Sequence, residues 1–139
     1  MPCNEILNEV KRPSNPLSLG SGGNLLILVS DLERSARFYE ETLGLKKTGG
    51  VPGEFTFFQW GGITLGIRET DQPIAKCLCE ISFQVSDVRA TYESLSKKGV
   101  KFTKAPRVVT SSATREMLAT DFRDPDGHVL SISGWSPKK

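Results

Sequence analysis

The stretch Leu28-Val29-Ser30-Asp31-Leu32-Glu33-Arg34-Ser35 marks the place where an apolar strand passes into a helix. The run that leads into it, Leu25–Val29, is continuously apolar and has the length of a strand. The Ser-x-x-Glu spacing from Ser30 to Glu33 predicts a capping box, in which each side chain satisfies a free backbone N–H at a helix start. Apolar residues then recur at helical intervals: Leu32, Ala36, Tyr39 and Leu43. The sequence therefore predicts a strand followed by an amphipathic helix.

The same pattern returns in the second half of the chain. Ile81, Phe83 and Val85 alternate with polar residues, as in a strand with one buried face. Val85-Ser86-Asp87 then repeats Val29-Ser30-Asp31, and a second apolar helical stripe follows it. A pattern repeated in this way predicts two copies of one structural unit.

Hairpins follow each predicted helix. Residues 54–60 and 63–68 flank Gly61-Gly62, which suits a two-residue turn. Residues 115–122 and 128–133 flank Asp124-Pro125-Asp126-Gly127, whose proline and glycine suit a tight turn. With one further strand after each helix, both halves become β-α-β-β-β. We therefore predict an α+β fold of two pseudo-symmetric βαβββ modules.

Length and composition set the class of protein. The chain has 139 residues, which suits one domain, and its formal charge of +2 gives no reason to expect nucleic acid or a membrane surface as a partner. No apolar run reaches bilayer length, and the first 22 residues do not resemble a signal peptide, so we expect a cytoplasmic protein. The three cysteines, Cys3, Cys77 and Cys79, are then expected to be reduced thiols. The predicted divisions are a tail at 1–23, one domain at 24–135 with modules at about 24–70 and 78–135, and a tail at 136–139.

The motifs together resemble a known family. The quoted stretch, with Phe38-Tyr39 and Leu43-Gly44-Leu45, is similar to the opening of the vicinal oxygen chelate superfamily, and Asp124-Pro125-Asp126-Gly127 resembles its closing hairpin. That superfamily includes glyoxalase I, extradiol dioxygenases, fosfomycin-resistance enzymes and bleomycin-resistance proteins. The resemblance implies paired modules whose mixed sheet curls around a cavity, often at a homodimer interface, so we expect a homodimer. In metal-dependent members, four strand positions hold one divalent ion that chelates two neighbouring substrate oxygens.

The family's four ligand positions carry poor ligands in this chain. By the adjacent motifs they correspond to Asn24, Gly66, Glu80 and Ser131. Glycine offers no side chain, and neutral amide and hydroxyl oxygens are poor ligands for iron, zinc or nickel. His128, the chain's one histidine, falls on the strand face opposite Ser131 by alternation. We therefore predict no metal at this place and no other cofactor.

Strand alternation also predicts the lining of the cavity. If the apolar faces pack on the helices, six polar residues project toward the cavity: Asn24, Glu80, Ser82, Gln84, Ser131 and Ser133. The alternative is that one face of an antiparallel sheet is simply solvated. Phe58, Trp60 and Trp135 are candidate aromatic walls, and the first two are equally consistent with ordinary core aromatics.

Three functions remain open at this stage. The first is a protein that binds a small, planar or cationic molecule in a metal-free, semi-polar cavity, as bleomycin-resistance relatives do. The second is a metal-independent enzyme that uses Glu80 as general acid or base, with its pKa raised by burial and Gln84 or Ser131 as a partner. The third is a metal-dependent lyase or dioxygenase with relocated ligands.

Overall fold

The computed structural model describes residues 23–75 and 79–138. Module 1 consists of β1 (Leu25–Val29), α1 (Leu32–Arg37) with a π-helical turn (Phe38–Thr42), β2 (Lys46–Val51), β3 (Phe55–Trp60) and β4 (Ile63–Glu69). Module 2 consists of β5 (Glu80–Gln84), α2 (Val88–Lys97), β6 (Arg107–Ser111), β7 (Arg115–Arg123) and β8 (Val129–Pro137). Residues 1–22 of the predicted tail at 1–23, with Cys3, and also Cys77 lie outside the described residues. Strand β8 continues two residues past the predicted domain end at 135.

Each module folds its strands into one four-stranded sheet with the same topology. The strand order is β1-β4-β3-β2 in module 1 and β5-β8-β7-β6 in module 2. The first strand of each module runs parallel to the last, and the other pairs are antiparallel. The prediction of an α+β fold built from two pseudo-symmetric βαβββ modules is therefore confirmed.

The outer strands of the two sheets share a local irregularity. The register of β2 against β3 shifts between Lys47 and Gly49, and that of β6 against β7 shifts between Val108 and Thr110. Both outer strands are exposed along their whole length. A bulge in an outer strand increases its twist and interrupts the row of pairing groups along its edge.

The helices cover one face of each sheet, and these covered faces form a common core. Its fully buried members come from both modules and include Val29, Tyr39, Phe58, Ile67, Phe122 and Leu130. Trp60 and Phe83 join the two sheets by an edge-to-face ring contact at 4.5 Å between centroids. The opposite face of each sheet, which we call the open face, is turned away from this core.

The two helices begin in the same way, although not as the sequence predicts. Asp31 is the N-cap of α1, and its carboxylate accepts the Arg34 N–H at 3.0 Å. Asp87 does the same for α2 by accepting the Ala90 N–H. The predicted capping box at Ser30 is wrong, because the helix begins one residue later and Ser30 instead bonds to Asp126 of module 2.

The first helix also changes its winding. After Arg37 it continues as a π-helical turn, in which the Leu43 N–H donates to the Phe38 carbonyl at 3.0 Å. The turn contains Tyr39, whose buried hydroxyl donates to Asp124 at 2.8 Å. Burial, together with the neighbouring Asp124 charge, raises the pKa of Tyr39 far above its ordinary value.

The Asp-Pro-Asp-Gly turn between β7 and β8 fastens module 2 to module 1. Asp124 accepts the backbone N–H groups of Asp126 and His128 at 2.9 and 2.8 Å, besides the Tyr39 hydroxyl. Asp126 accepts the Ser30 N–H at 3.1 Å and pairs with Arg34 at 3.2 Å. The two aspartates thus hold both the turn itself and the start of α1.

Within residues 23–75 and 79–138, none of the helices has the length and apolar character needed to cross a membrane.

Candidate functional site

The open face of module 2 carries five of the residues predicted to line a cavity. Glu80, Ser82 and Gln84 of β5 pair in parallel with Val129, Ser131 and Ser133 of β8, and paired residues share a face. Ser131 is buried, and the hydroxyls of Ser82 and Ser133 lie 3.2 Å apart. Glu80 is exposed. The structure thus brings Glu80, Ser82, Gln84, Ser131 and Ser133 together.

Asp121 joins this polar group and was not predicted from the sequence. It lies on β7 directly opposite Ser131, which in turn lies opposite Ser82. Ser82, Ser131 and Asp121 therefore form one row across three strands, which we call the polar row. A second carboxylate accompanies Glu80 on the open face of module 2. The antiparallel pairing of β7 with β8 is the signal that could have found it.

Trp135 extends the open face of module 2 toward the end of β8. Met117 lies opposite it on β7, and the Arg115 guanidinium lies over the Trp135 ring at 5.3 Å from the centroid. A cation over an aromatic face in this range is attracted by the ring electrons. This face of Trp135 is therefore already covered in part by a side chain of its own module.

The equivalent row in module 1 is apolar. Gly66 of β4 lies between Leu26 of β1 and Phe57 of β3, and we call these three residues the apolar row. A Cβ atom on Gly66 would lie 2.6 Å from Leu26 Cδ1 and 2.8 Å from Phe57 Cε1. The two side chains therefore lie directly over Gly66 and fill the space that a metal-coordinating side chain at position 66 would need. Asn24 precedes β1 and is exposed.

Phe58 and Trp60 lie on the covered face of β3, opposite to the face that carries Phe57. Phe58 is fully buried in the core, with its ring 6.0 Å from that of Tyr39. Trp60 packs on Phe83 in the contact that joins the sheets. The expectation that these two aromatics form walls of the cavity is wrong, and the core alternative holds, because the β3–β4 register places Phe58 opposite the buried Leu65.

On the open face of module 1 the aromatic residues are instead Phe55 and Phe57, whose ring centroids are 5.2 Å apart. Phe55 lies opposite Arg68, and Arg68 lies beside Leu28. Leu26 and Leu28 are 44% and 39% exposed. They also border a cavity of about 400 Å³ beside β1 that is lined by Leu26, Ile27, Leu28, Thr70, Gln72, Pro73, Ile74, Ala75 and His128.

The helix starts differ between the modules on the covered side. Glu69 of β4 accepts the Leu32 N–H in the first turn of α1 at 2.8 Å. The equivalent residue of β8 is Gly134, where an added Cβ would lie 2.3 Å from the Val85 carbonyl oxygen. A cavity of about 450 Å³ opens there, lined in part by Asp87, Arg89, Glu116 and Trp135. Module 1 therefore has the Glu69 carboxylate at this position, where module 2 has a glycine without a side chain.

The family's metal centre does not fit the residues at its four positions. Gly66 is covered by hydrocarbon, Ser131 and Asn24 supply neutral oxygens, and Glu80 supplies the one carboxylate. Among residues 23–75 and 79–138, no three His, Cys, Asp or Glu side chains are grouped so that they could hold a metal ion. His128 meets module 1 instead, with Nε2 at 2.7 Å from the Leu28 carbonyl oxygen.

Comparison with known families now decides the relationship. The sequence model of the Glyoxalase/Bleomycin resistance protein/Dioxygenase superfamily matches residues 23–132, which cover module 1 and module 2 as far as the first residues of β8. The chain belongs to this superfamily. The resemblance to vicinal oxygen chelate proteins is thereby confirmed.

Individual proteins resemble the chain to different degrees. The uncharacterized protein YraH of Bacillus subtilis is 32% identical over 120 residues, covering 76% of this chain and 91% of YraH. The virulence protein STM3117 of Salmonella typhimurium is 30% identical over 120 residues, covering 79% of this chain and 81% of that protein. The fosfomycin resistance protein FosX of Listeria monocytogenes has a crystal structure that superposes with a TM-score of 0.68, at 19% identity, over 84% of this chain and 94% of FosX. That likeness shows a shared fold.

Proposed function

We propose that this member of the superfamily binds a small organic molecule, without a metal ion, on the open faces of its two sheets. The observation that carries the proposal is the contrast between the two equivalent rows. One is hydrocarbon over a glycine, and the other offers two hydroxyls and a carboxylate. Sites for small molecules combine apolar walls with a few placed polar groups.

The polar row and its neighbours determine which hydrogen-bonding groups the ligand needs on the side that faces module 2. The Glu80 and Asp121 carboxylates accept hydrogen bonds, and the hydroxyls of Ser82, Ser131 and Ser133 both donate and accept. A ligand with hydroxyl or amine groups satisfies these side chains. The apolar row then takes up the ligand's hydrocarbon part.

The site is expected to close at a homodimer interface in a cytoplasmic protein. Leu26 and Leu28 are partly exposed in the single chain, and a partner protomer would cover them. Sedimentation equilibrium tests this part of the proposal directly. A mass of two chains supports it, and a monomer at high protein concentration contradicts it.

Metal analysis tests the absence of an ion. The protein is purified, dialysed, and measured by elemental analysis before and after addition of Fe²⁺, Zn²⁺, Ni²⁺ and Mn²⁺. We expect no stoichiometric metal, since about three protein ligands are the norm for such ions. About one tightly held ion per chain would overturn the proposal.

Variants of the polar row test the binding itself. Compounds that raise the melting temperature of the wild type are identified in a screen and titrated by calorimetry. Asp121→Asn should weaken their binding by about tenfold, the effect of losing one charge-assisted hydrogen bond, and Ser131→Ala should weaken it by less, because it removes a neutral hydroxyl. Glu93→Gln, on the exposed surface of α2, is the matched control and should bind as the wild type does. Equal affinities in all four proteins contradict the proposed site.

Catalysis by Glu80 is the alternative that Asp121 favours, because acid–base chemistry uses two groups and Asp121 adds a second carboxylate to this face. In the single chain Glu80 is exposed, so its burial has to come from a partner protomer or a ligand. A ligand recovered unchanged after long incubation with the protein supports binding alone. Turnover that Glu80→Gln abolishes supports the enzyme.

A further inference from the structure

We infer that Arg68 makes the open face of module 1 a site for the acidic group of a ligand whose remaining part is apolar. This inference rests on the proposed function, since the face belongs to the same site. It adds the ligand's chemical class, namely an anion with an aromatic or aliphatic body.

The position of Arg68 is unusual for a charged side chain. It lies on β4 with Leu28 beside it on one neighbouring strand and Phe55 opposite it on the other. The apolar row lies two residues along the same strands, and Arg68 itself is exposed, so its side chain is accessible beside an apolar surface. A bound ligand that covers these apolar neighbours excludes water from the guanidinium and so strengthens its attraction for an anion.

The guanidinium is available for such a ligand. Among the described residues, the ion pairs join Arg34 to Asp126 and Arg37 to Glu33, so Arg68 has no carboxylate partner of its own. Its neighbour Glu69 points to the covered side and bonds to the start of α1. Arginine presents a planar fork of donors that matches the two oxygens of a carboxylate, phosphate or sulfonate.

There is also space for the ligand's apolar part. The cavity of about 400 Å³ beside β1 is lined by Leu28, which is the neighbour of Arg68 on β1, and also by Leu26, Pro73 and Ile74. Cavities of this size hold small organic ligands. Phe55 and Phe57 continue the apolar surface on the other side of Arg68. The ligand class is therefore a molecule whose acidic group contacts Arg68 and whose apolar body contacts the surrounding apolar surface.

Two dyes that differ by one acidic group test the inference. The sulfonate dye 8-anilinonaphthalene-1-sulfonate and the neutral dye N-phenyl-1-naphthylamine share the same aromatic body. Fluorescence titration of the full chain should show about one saturable site with tighter binding of the sulfonate. Arg68→Gln should weaken the sulfonate dye by about tenfold, which corresponds to about 1.4 kcal/mol, and leave the neutral dye unchanged.

Further variants separate charge, geometry and fold. Arg68→Lys keeps the charge without the fork, so the sulfonate dye should bind with intermediate affinity. Phe57→Ala should weaken both dyes. Arg37→Gln, which changes the net charge equally on the exposed surface of α1, should change neither. Near-ultraviolet circular dichroism checks that every variant is folded.

The outcomes that overturn the inference differ from those that overturn the proposed function. Saturable binding of the neutral dye, with sulfonate binding that Arg68→Gln does not alter, overturns the acidic ligand alone. Failure of both dyes to bind overturns both the inference of an acidic ligand and the proposal that the apolar row binds the ligand's hydrocarbon part. A shift in self-association by Arg68→Gln without any change in dye binding assigns the residue to a protomer contact instead and also overturns the inference.

Discussion

The two modules follow the same path but present opposite surfaces. Position by position, the apolar row Leu26, Gly66 and Phe57 corresponds to the polar row Ser82, Ser131 and Asp121. The covered faces remain similar, because both have to bury apolar side chains against a helix and against each other. Divergence between the copies is thus greatest on the faces that packing does not constrain. This pattern is the reason for proposing the ligand site on the open faces and not in the core.

The largest expected effect concerns Gly134, which occupies in module 2 the position that Glu69 occupies in module 1. Gly134→Ala should lower the free energy of unfolding by about 3 kcal/mol, because the new methyl group would clash with backbone and not with a movable side chain. Urea denaturation gives the value. Gly62→Ala is the control, since a Cβ there has no atom within 4 Å. Similar midpoints for the two variants would show that β8 can move away from β5.

The next effect concerns Tyr39, whose equivalent in module 2 is the apolar Leu95. The folded state raises the pKa of Tyr39, so above about pH 10 the unfolded chain loses this proton while the folded chain keeps it. Stability should therefore fall by about 1.4 kcal/mol per pH unit on account of this residue as the pH rises further. Urea unfolding between about pH 9 and pH 11 measures the slope. Tyr39→Phe should remove this part of it, and identical slopes would contradict the buried contact with Asp124.

The smallest expected effect tests the helix start of module 1. Glu69→Ala should cost about 1 kcal/mol, because it removes the carboxylate that accepts the Leu32 N–H in the first turn of α1. Glu69→Gln keeps an acceptor oxygen and should cost less. Glu54→Ala, on an exposed turn, is the control. If thermal unfolding gives equal values for all three, α1 does not need the contact that α2 lacks.

Much of the fold could be predicted because repetition and alternation agree. Val29-Ser30-Asp31 and Val85-Ser86-Asp87 identified the two copies, and the strand β5 with its polar face followed from alternation alone. The grouping of Ser82 with Ser131 needed one more step, the resemblance to a family whose sheets curl around a cavity.

Strand β3 shows where sequence reasoning fails. It has aromatic residues on both faces, Phe55 and Phe57 on one and Phe58 and Trp60 on the other, so a period of two cannot select the buried pair. The two-residue turn at Gly61-Gly62 contains the missing information. It fixes Trp60 opposite Ile63 and hence Phe57 opposite Gly66.

The helix start shows a second kind of failure, which is long-range. The capping box at Ser30 was a sound local pattern, but the Ser30 hydroxyl and N–H bond to Asp126, far along the chain. Local propensity could not foresee a partner brought close by the fold. The same holds for the bond from Tyr39 to Asp124.

The bonds from the Asp-Pro-Asp-Gly turn to module 1 have a consequence for the order of events during synthesis. Residues 24–70 leave the ribosome well before Asp124 and Asp126, and domains form from the N-terminal side as the chain emerges. The Tyr39 hydroxyl and the Ser30 N–H must then stay hydrated until the last hairpin arrives. Closing so long a loop is slow and comes late. We therefore expect the nascent first module to stay in a looser state until the turn between β7 and β8 forms its bonds with Tyr39 and Ser30.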